Sequence, residues 1–138
     1  MIYPNESVVL DARLTDILPR LRPAARDLVR NRGFLSRRRK RGLPMARVSK
    51  GWCVFFNSGC VLHKIGAEQG DPFRFKPAAC SLFPLSKDEH DRWYIRQKGY
   101  QGEIWDLPCL DAAISRTPAV ESLTAEIRLA ESFTKSEP

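Results

Sequence analysis

Apolar positions along the first third of the chain recur at helical spacing. Leu14, Ile17, Leu18 and Leu21 would share one helix face, but Pro19 and Pro23 each remove an interior helix hydrogen bond. The pattern therefore predicts two short helices. The second starts with Pro23 in its first turn, places Ala25, Leu28 and Val29 on one face, and stops at Gly33, where a left-handed helix end is allowed.

The period changes at Trp52. Two β-prone runs, Cys53-Val54-Phe55-Phe56 and Cys60-Val61-Leu62-His63, flank the turn signal Asn57-Ser58-Gly59. A hairpin closed at Ser58-Gly59 would put Cys53 and Cys60 on one face, four residues or roughly 13 Å apart. Two ligands of one ion cannot be so distant, because zinc-bound sulfurs lie about 2.3 Å from the metal. Either the segment is a hairpin or it curls as a loop around a shared centre.

Further on, Pro77 and Pro84 frame a short turn or helix that carries Cys80. Trp93-Tyr94-Ile95-Arg96 is predicted as a strand with Trp93 and Ile95 facing inward, followed by a turn from Gly99 to Gly102. The final pattern is a docking helix. Thr117 caps it, Pro118 occupies its first position, Glu121 lies near its positive end, and Val120, Leu123, Ile127 and Ala130 form an apolar stripe. Together these elements predict an α+β fold: a small irregular cysteine-centred domain with short strands, N-terminal helices and a C-terminal docking helix.

At 138 residues and 43% hydrophobic composition, the chain has the size of one compact domain and can build a core without disulfides. It contains no apolar run long enough to span a membrane, and Met1 to Leu10 lacks the pattern of a secretory leader, so a cytoplasmic protein is expected. Charge divides the chain near Lys50. Residues 13–50 hold 13 Lys or Arg against Asp16 and Asp27, whereas residues 51–138 hold 10 basic and 12 acidic side chains. We accordingly distinguish a basic helical N-terminal segment, 1–50, from a cysteine-centred metal-binding region with the C-terminal helix, 51–138. The densest run, Arg37-Arg38-Arg39-Lys40-Arg41, is bracketed by Gly33 and by Gly42-Leu43-Pro44, which predicts a loop or a frayed helix end. Such a run is a solvated face, a surface for nucleic acid, or a surface for an acidic partner or anionic membrane, with Arg30, Arg32 and Arg47 nearby. Phe34 is its one close aromatic neighbour, too little for a base-stacking platform.

Four cysteines, Cys53, Cys60, Cys80 and Cys109, are separated by six, nineteen and twenty-eight residues, without the paired knuckles of a zinc ribbon. In a reducing compartment four thiols suit one zinc ion or one iron–sulfur cluster, while the apolar residues beside them also suit buried free thiols. His63, three residues beyond Cys60, is a candidate additional ligand; His90, within Lys87-Asp88-Glu89-His90-Asp91-Arg92, reads as part of a solvated turn. No catalytic constellation is evident in the spacing of these residues.

The segments Cys53-Val54-Phe55, Gly59-Cys60-Val61-Leu62-His63 and Lys76-Pro77-Ala78-Ala79-Cys80-Ser81-Leu82-Phe83-Pro84-Leu85 resemble the C-x-F, G-C-x-(I/L)-(Y/H) and (R/K)-P-x-x-C-x-x-(F/Y)-P elements of the zinc- or iron-chelating CxxCxxCC proteins, the YkgJ-like family. The resemblance covers about a quarter of the chain. It implies that Cys53, Cys60 and Cys80 are metal ligands, with Cys109 as a candidate fourth. The cysteine-dense run that names the family is missing before Cys53, so one centre rather than two is expected. Some family members are linked to iron–sulfur clusters and one branch to lysine methylation, but the glycine-rich cofactor loop of a methyltransferase is not present here. The functional expectation is a structural or electron-transfer metal protein acting with an unidentified protein or redox partner. A zinc-stabilised nucleic-acid-binding module using Arg37 to Arg41 is the alternative.

Overall fold

The structure, a computed structural model, describes residues 1–107 and 110–134. The fold is α+β, built of short helices and two-stranded antiparallel sheets. The chain forms two compact units, Met1–Ser81 and Leu82–Pro138. The charge boundary at Lys50 lies within the first of these.

The first unit opens with α1, Pro4–Ala12, a helix that the sequence pattern did not single out. The two short helices expected next are present: α2, Leu14–Ile17, running into a 3-10 turn over Leu18–Arg20, and α3, Pro23–Arg32. Ala25 and Val29 are buried, as the α3 face predicts. Gly33 ends α3 at φ 71° and ψ 175°, so it is extended with positive φ rather than left-handed helical, and its N–H still donates to the Val29 carbonyl at 2.8 Å.

The basic run is neither loop nor helix end. It forms strand β1, Leu35–Lys40, paired antiparallel with β2, Leu43–Ala46. Arg41 and Gly42 link the strands with φ 49° and 77°, the two positive values that a type I′ hairpin requires. The register slips between Leu35 and Arg39, which leaves Ser36, Arg37 and Arg38 opposite Met45 as an irregular bulge. A second hairpin repeats the device: β3, Val48–Ser49, pairs with β4, Trp52–Cys53, across Lys50 and Gly51 at φ 50° and 80°. The hairpin expected beyond Cys53 is replaced by a tight loop, because Cys53 pairs backwards with Val48 and Cys60 caps helix α4, Val61–Glu68. Short helix α5, Ala78–Ser81, carries Cys80 as the framing prolines predicted.

One apolar core serves this unit. Ile2, ahead of α1, and Leu10 and Ile17 from the N-terminal helices meet Val54 and Phe55 from the cysteine loop and Leu62 and Ile65 from α4. Phe34 and Phe55 contact each other with ring centroids 5.6 Å apart.

The second unit contains β5, Leu85–Lys87, paired antiparallel with β6, Trp93–Ile95. Trp93, Tyr94 and Ile95 are all half-buried, so the expected inward-outward alternation is absent from this short strand. A 3-10 turn over Tyr100–Gly102 follows, inside the turn expected from Gly99 to Gly102. The single docking helix is instead two: α6, Ala119–Ser122, and α7, Thr124–Thr134, broken at Leu123, whose φ of −107° leaves the helical range. Pro118 rather than Thr117 occupies the N-cap, and no side chain caps α6. Ala130 is buried while Val120 is exposed, so the stripe is covered only toward its C-terminal end.

Candidate metal centre

Three of the four cysteines lie in the first unit, and each is positioned by a different local device. Cys53 ends the second hairpin. Its carbonyl accepts the Phe56 N–H at 2.9 Å, which turns the chain at once, and the Val61 N–H returns to the Phe55 carbonyl at 2.8 Å. Positive φ at Ser58 and Gly59, 50° and 109°, completes the reversal. Cys60 is therefore delivered to the N-cap of α4, where its side chain makes no capping hydrogen bond and its sulfur is not spent on the helix. Cys80 sits in α5, its N–H donating to the Pro77 carbonyl at 2.8 Å.

Residues outside the cysteine motifs hold this arrangement. Arg22, just before α3, donates from Nε to the Phe56 carbonyl at 2.8 Å and from Nη2 to the Ser49 and Cys53 carbonyls at 3.2 and 3.4 Å. One guanidinium thus gathers three carbonyls of the loop that bears Cys53, a use suited to its planar fork of donors. Asn57 adds a bond from Nδ2 to the Arg20 carbonyl at 2.8 Å, and Lys64 Nζ returns to the Asn57 carbonyl at 2.9 Å. Glu6 on α1 accepts the Ala78 N–H at 2.7 Å and so anchors the start of α5 beneath Cys80. Sequence reasoning missed Arg22 and Glu6. Neither carries a signal in the chain, since one arginine among many basic residues and one glutamate in an unremarked helix announce nothing about distant carbonyls or amides.

The three thiols share an electrostatic neighbourhood. Burial pushes the Cys53 thiol above its ordinary range, and charge on Cys60 adds to the rise, while a hydrogen bond from the Phe55 backbone and the Arg22 charge oppose it. Burial likewise raises Cys80; the N-terminal ammonium and Lys76 oppose the rise, and Cys53 and Cys60 contribute to it. Cys53 and Cys80 keep open residue surface, but the protein mass around each sulfur displaces enough water to disfavour a thiolate. That direction is opposite to the one that activates a nucleophilic cysteine. All three are free thiols.

The chain matches no family model, no curated protein and no solved structure. The site must be judged on its own donors. Three soft thiols in one neighbourhood are of the type that zinc and iron–sulfur clusters take. Among the described residues, no group of three or more His, Cys, Asp or Glu side chains is closed up tightly enough to hold an ion. Cys109, the expected fourth thiol, lies outside the described residues. His63 is exposed on α4 and meets the Phe73 ring edge-on at 6.4 Å. His90 is exposed within a turn whose Asp88 carboxylate accepts the His90 N–H at 2.9 Å, the solvated role that its charged context suggested.

Proposed function

We propose that this protein binds one zinc ion or one iron–sulfur cluster through Cys53, Cys60, Cys80 and Cys109, in a structural or electron-transfer role. The observation that supports the reading is the donor set of the first unit: Cys53, Cys60 and Cys80 are free thiols, and each of Cys53 and Cys80 is raised first by burial and further by charge on the neighbouring cysteines. The set is also the one implied by the YkgJ-like resemblance.

The residues divide the work between them. Cys53 and Cys60 sit at the two ends of a tight loop whose Cys53 and Phe56 carbonyls are held by Arg22. Cys80 approaches on a separate element pinned by Glu6. Each thiol must release a proton to become a ligand, and the raised values at Cys53 and Cys80 make loading favour higher pH. When bound, a four-thiolate zinc supplies cross-linking of these elements, whereas a cluster supplies one-electron chemistry. A centre with four thiolates leaves no coordination position for a substrate, so hydrolysis does not follow from it.

The test is metal and acid-labile sulfide content after anaerobic purification, with absorption spectra before and after exposure to air. Stoichiometric zinc, or iron with sulfide and a bleachable visible band, is the expected result, reduced by each of C53S, C60S, C80S and C109S. Metal-free protein that takes up neither zinc nor iron after reconstitution would overturn the assignment.

A further inference from the structure

The hairpin β1–β2 presents a cluster of cations that the thiol centre does not use. Arg37 to Arg41 are all exposed, and so are Arg30 and Arg32 at the end of α3. Three acidic residues of the first unit are engaged elsewhere: Asp16 with Arg13, Glu68 with Arg20 and Asp27 with Arg26. None of the hairpin cations forms an ion pair among the described residues, and Arg39 donates from Nη1 to the Gly42 carbonyl at 2.7 Å within the turn. Arg47, which the sequence grouped with them, is committed differently: its Nε and Nη2 donate to the Gly33 and Arg32 carbonyls at 3.0 and 2.9 Å and close the end of α3. A hollow of about 410 Å³ between α3 and the hairpin has both Arg32 and Arg38 on its lining, so the helix end and the ribbon form one continuous basic surface.

Concentrating so many unpaired cations on a two-stranded ribbon costs self-repulsion, which an external polyanion would relieve. Strand geometry points successive side chains to opposite faces, so cations on one face recur at about 6.6 Å and both faces of the ribbon carry charge. A ribbon of this kind is also of a width that a major groove admits. Asn and Gln, which pair with adenine, are not found between Leu35 and Ala46, so any base contact from the ribbon would be arginine to guanine. The apolar residues of the ribbon, Leu35, Leu43 and Met45, are half-buried and offer nothing to insert into a bilayer. Phe34, the aromatic residue adjoining the ribbon in sequence, is buried and cannot stack on an unpaired base.

We propose that the β1–β2 ribbon, with Arg30 and Arg32, binds duplex DNA chiefly through its phosphates. This surface is independent of the cysteines, so its failure and that of the metal assignment are separable.

The experiment is fluorescence anisotropy of a labelled mixed-sequence DNA duplex titrated with the full chain across ionic strengths of about 50 to 200 mM. Some six phosphate contacts would weaken binding by about a thousand-fold over that range. R37Q/R38Q/R41N should lower affinity at least ~10-fold at the low-salt end and flatten the log–log salt slope by about 0.9 for each contact removed. R37K/R38K/R41K should keep the slope, and R74Q/R116Q/R128Q, which removes the same charge elsewhere, should leave it near that of the parent protein. Should the glutamine variant fail to fold, the three single substitutions carry the test, each flattening the slope by about 0.9. An unchanged slope in the hairpin variants, an equal loss in the distant variant, tighter binding to single strands, or preference for phosphatidylserine vesicles over the duplex would each overturn the proposal.

Discussion

Arg22 shows how much of a local fold one side chain can organise. Its guanidinium satisfies carbonyls of Ser49, Cys53 and Phe56, which come from two turns that share no hydrogen-bond ladder with α3. Arg22→Leu keeps the apolar stem but removes every donor, and should destabilise the first unit by about 1–3 kcal/mol, the cost of partly buried carbonyls left without partners. Denaturant unfolding measures this, and metal content of the same variant should fall because Cys53 loses its fixed backbone; a variant with parental stability and full metal loading would remove Arg22 from the site. Gly33 is a second such residue. At φ 71° and ψ 175° it occupies a region nearly closed to other residues, while nothing lies within 4 Å of a Cβ built there. Gly33→Ala should therefore cost about 1–3 kcal/mol through backbone strain alone, without a clash. Gly66 is the converse: its φ is ordinary, but a Cβ would strike the Asp71 carbonyl and crowd Pro72. The sequence revealed Gly33 because it followed an apolar helix face. Gly66 inside a helical run gave no such cue, since the close approach comes from a loop folding back on α4.

At the scale of elements, proline and glycine punctuation was the most legible signal. Pro19 and Pro23 divided the N-terminal helices, and Pro77 placed the start of α5. The basic hairpin was illegible for a physical reason. A strand is read from alternation that buries one face, whereas Arg37 to Lys40 are exposed on both, and the ribbon is held by its turn, by the Arg47 N–H bond to the Phe34 carbonyl at 2.8 Å, and by the Ile2 N–H bond to the Pro44 carbonyl at 2.9 Å. Similarly, the cysteine segment has β-prone composition, yet Cys53 is claimed by β3 before it can pair forward. Arg41 is the strained member of the basic turn, a β-carbon-bearing residue at φ 49° beside Gly42. Arg41→Asn should stabilise the protein by up to ~1 kcal/mol, since asparagine tolerates this conformation and Asn-Gly is the preferred type I′ pair. An increase in the denaturation midpoint with unchanged cooperativity is the expected measurement, and a lower midpoint would mean that the Arg41 side chain itself supports the hairpin.

For the molecule as a whole, acid should act on the second unit through its paired carboxylates. In the second unit Glu103 pairs with Arg96, both side chains largely buried, and Arg96 lies over the Trp105 ring at 4.4 Å and the Phe83 ring at 5.8 Å. The hydrogen bond from Arg96 holds the Glu103 carboxyl below its ordinary 4.5, with backbone N–H groups of Trp105 and Ile104 adding to the effect. Asp88 is lowered from 3.8, first by the Arg92 backbone N–H and then by the Arg92 side chain. A carboxylate lowered in this way contributes stability that is fully present above its unfolded value and disappears as pH falls through the lower folded value. The second unit should thus hold its structure at neutral pH and lose stability progressively once pH drops below about 4.5. Trp93 and Trp105 report on this unit and Trp52 on the other, so Trp52→Phe makes tryptophan emission specific to residues 82–138. In that background Glu103→Gln should lower stability at pH 7 yet flatten its decline below pH 4.5, because the neutral amide has no proton to take up. An acid profile identical to that of the parent would show that the Arg96–Glu103 pair does not set the acid limit of this unit, and would move the cause to Asp88 and its turn.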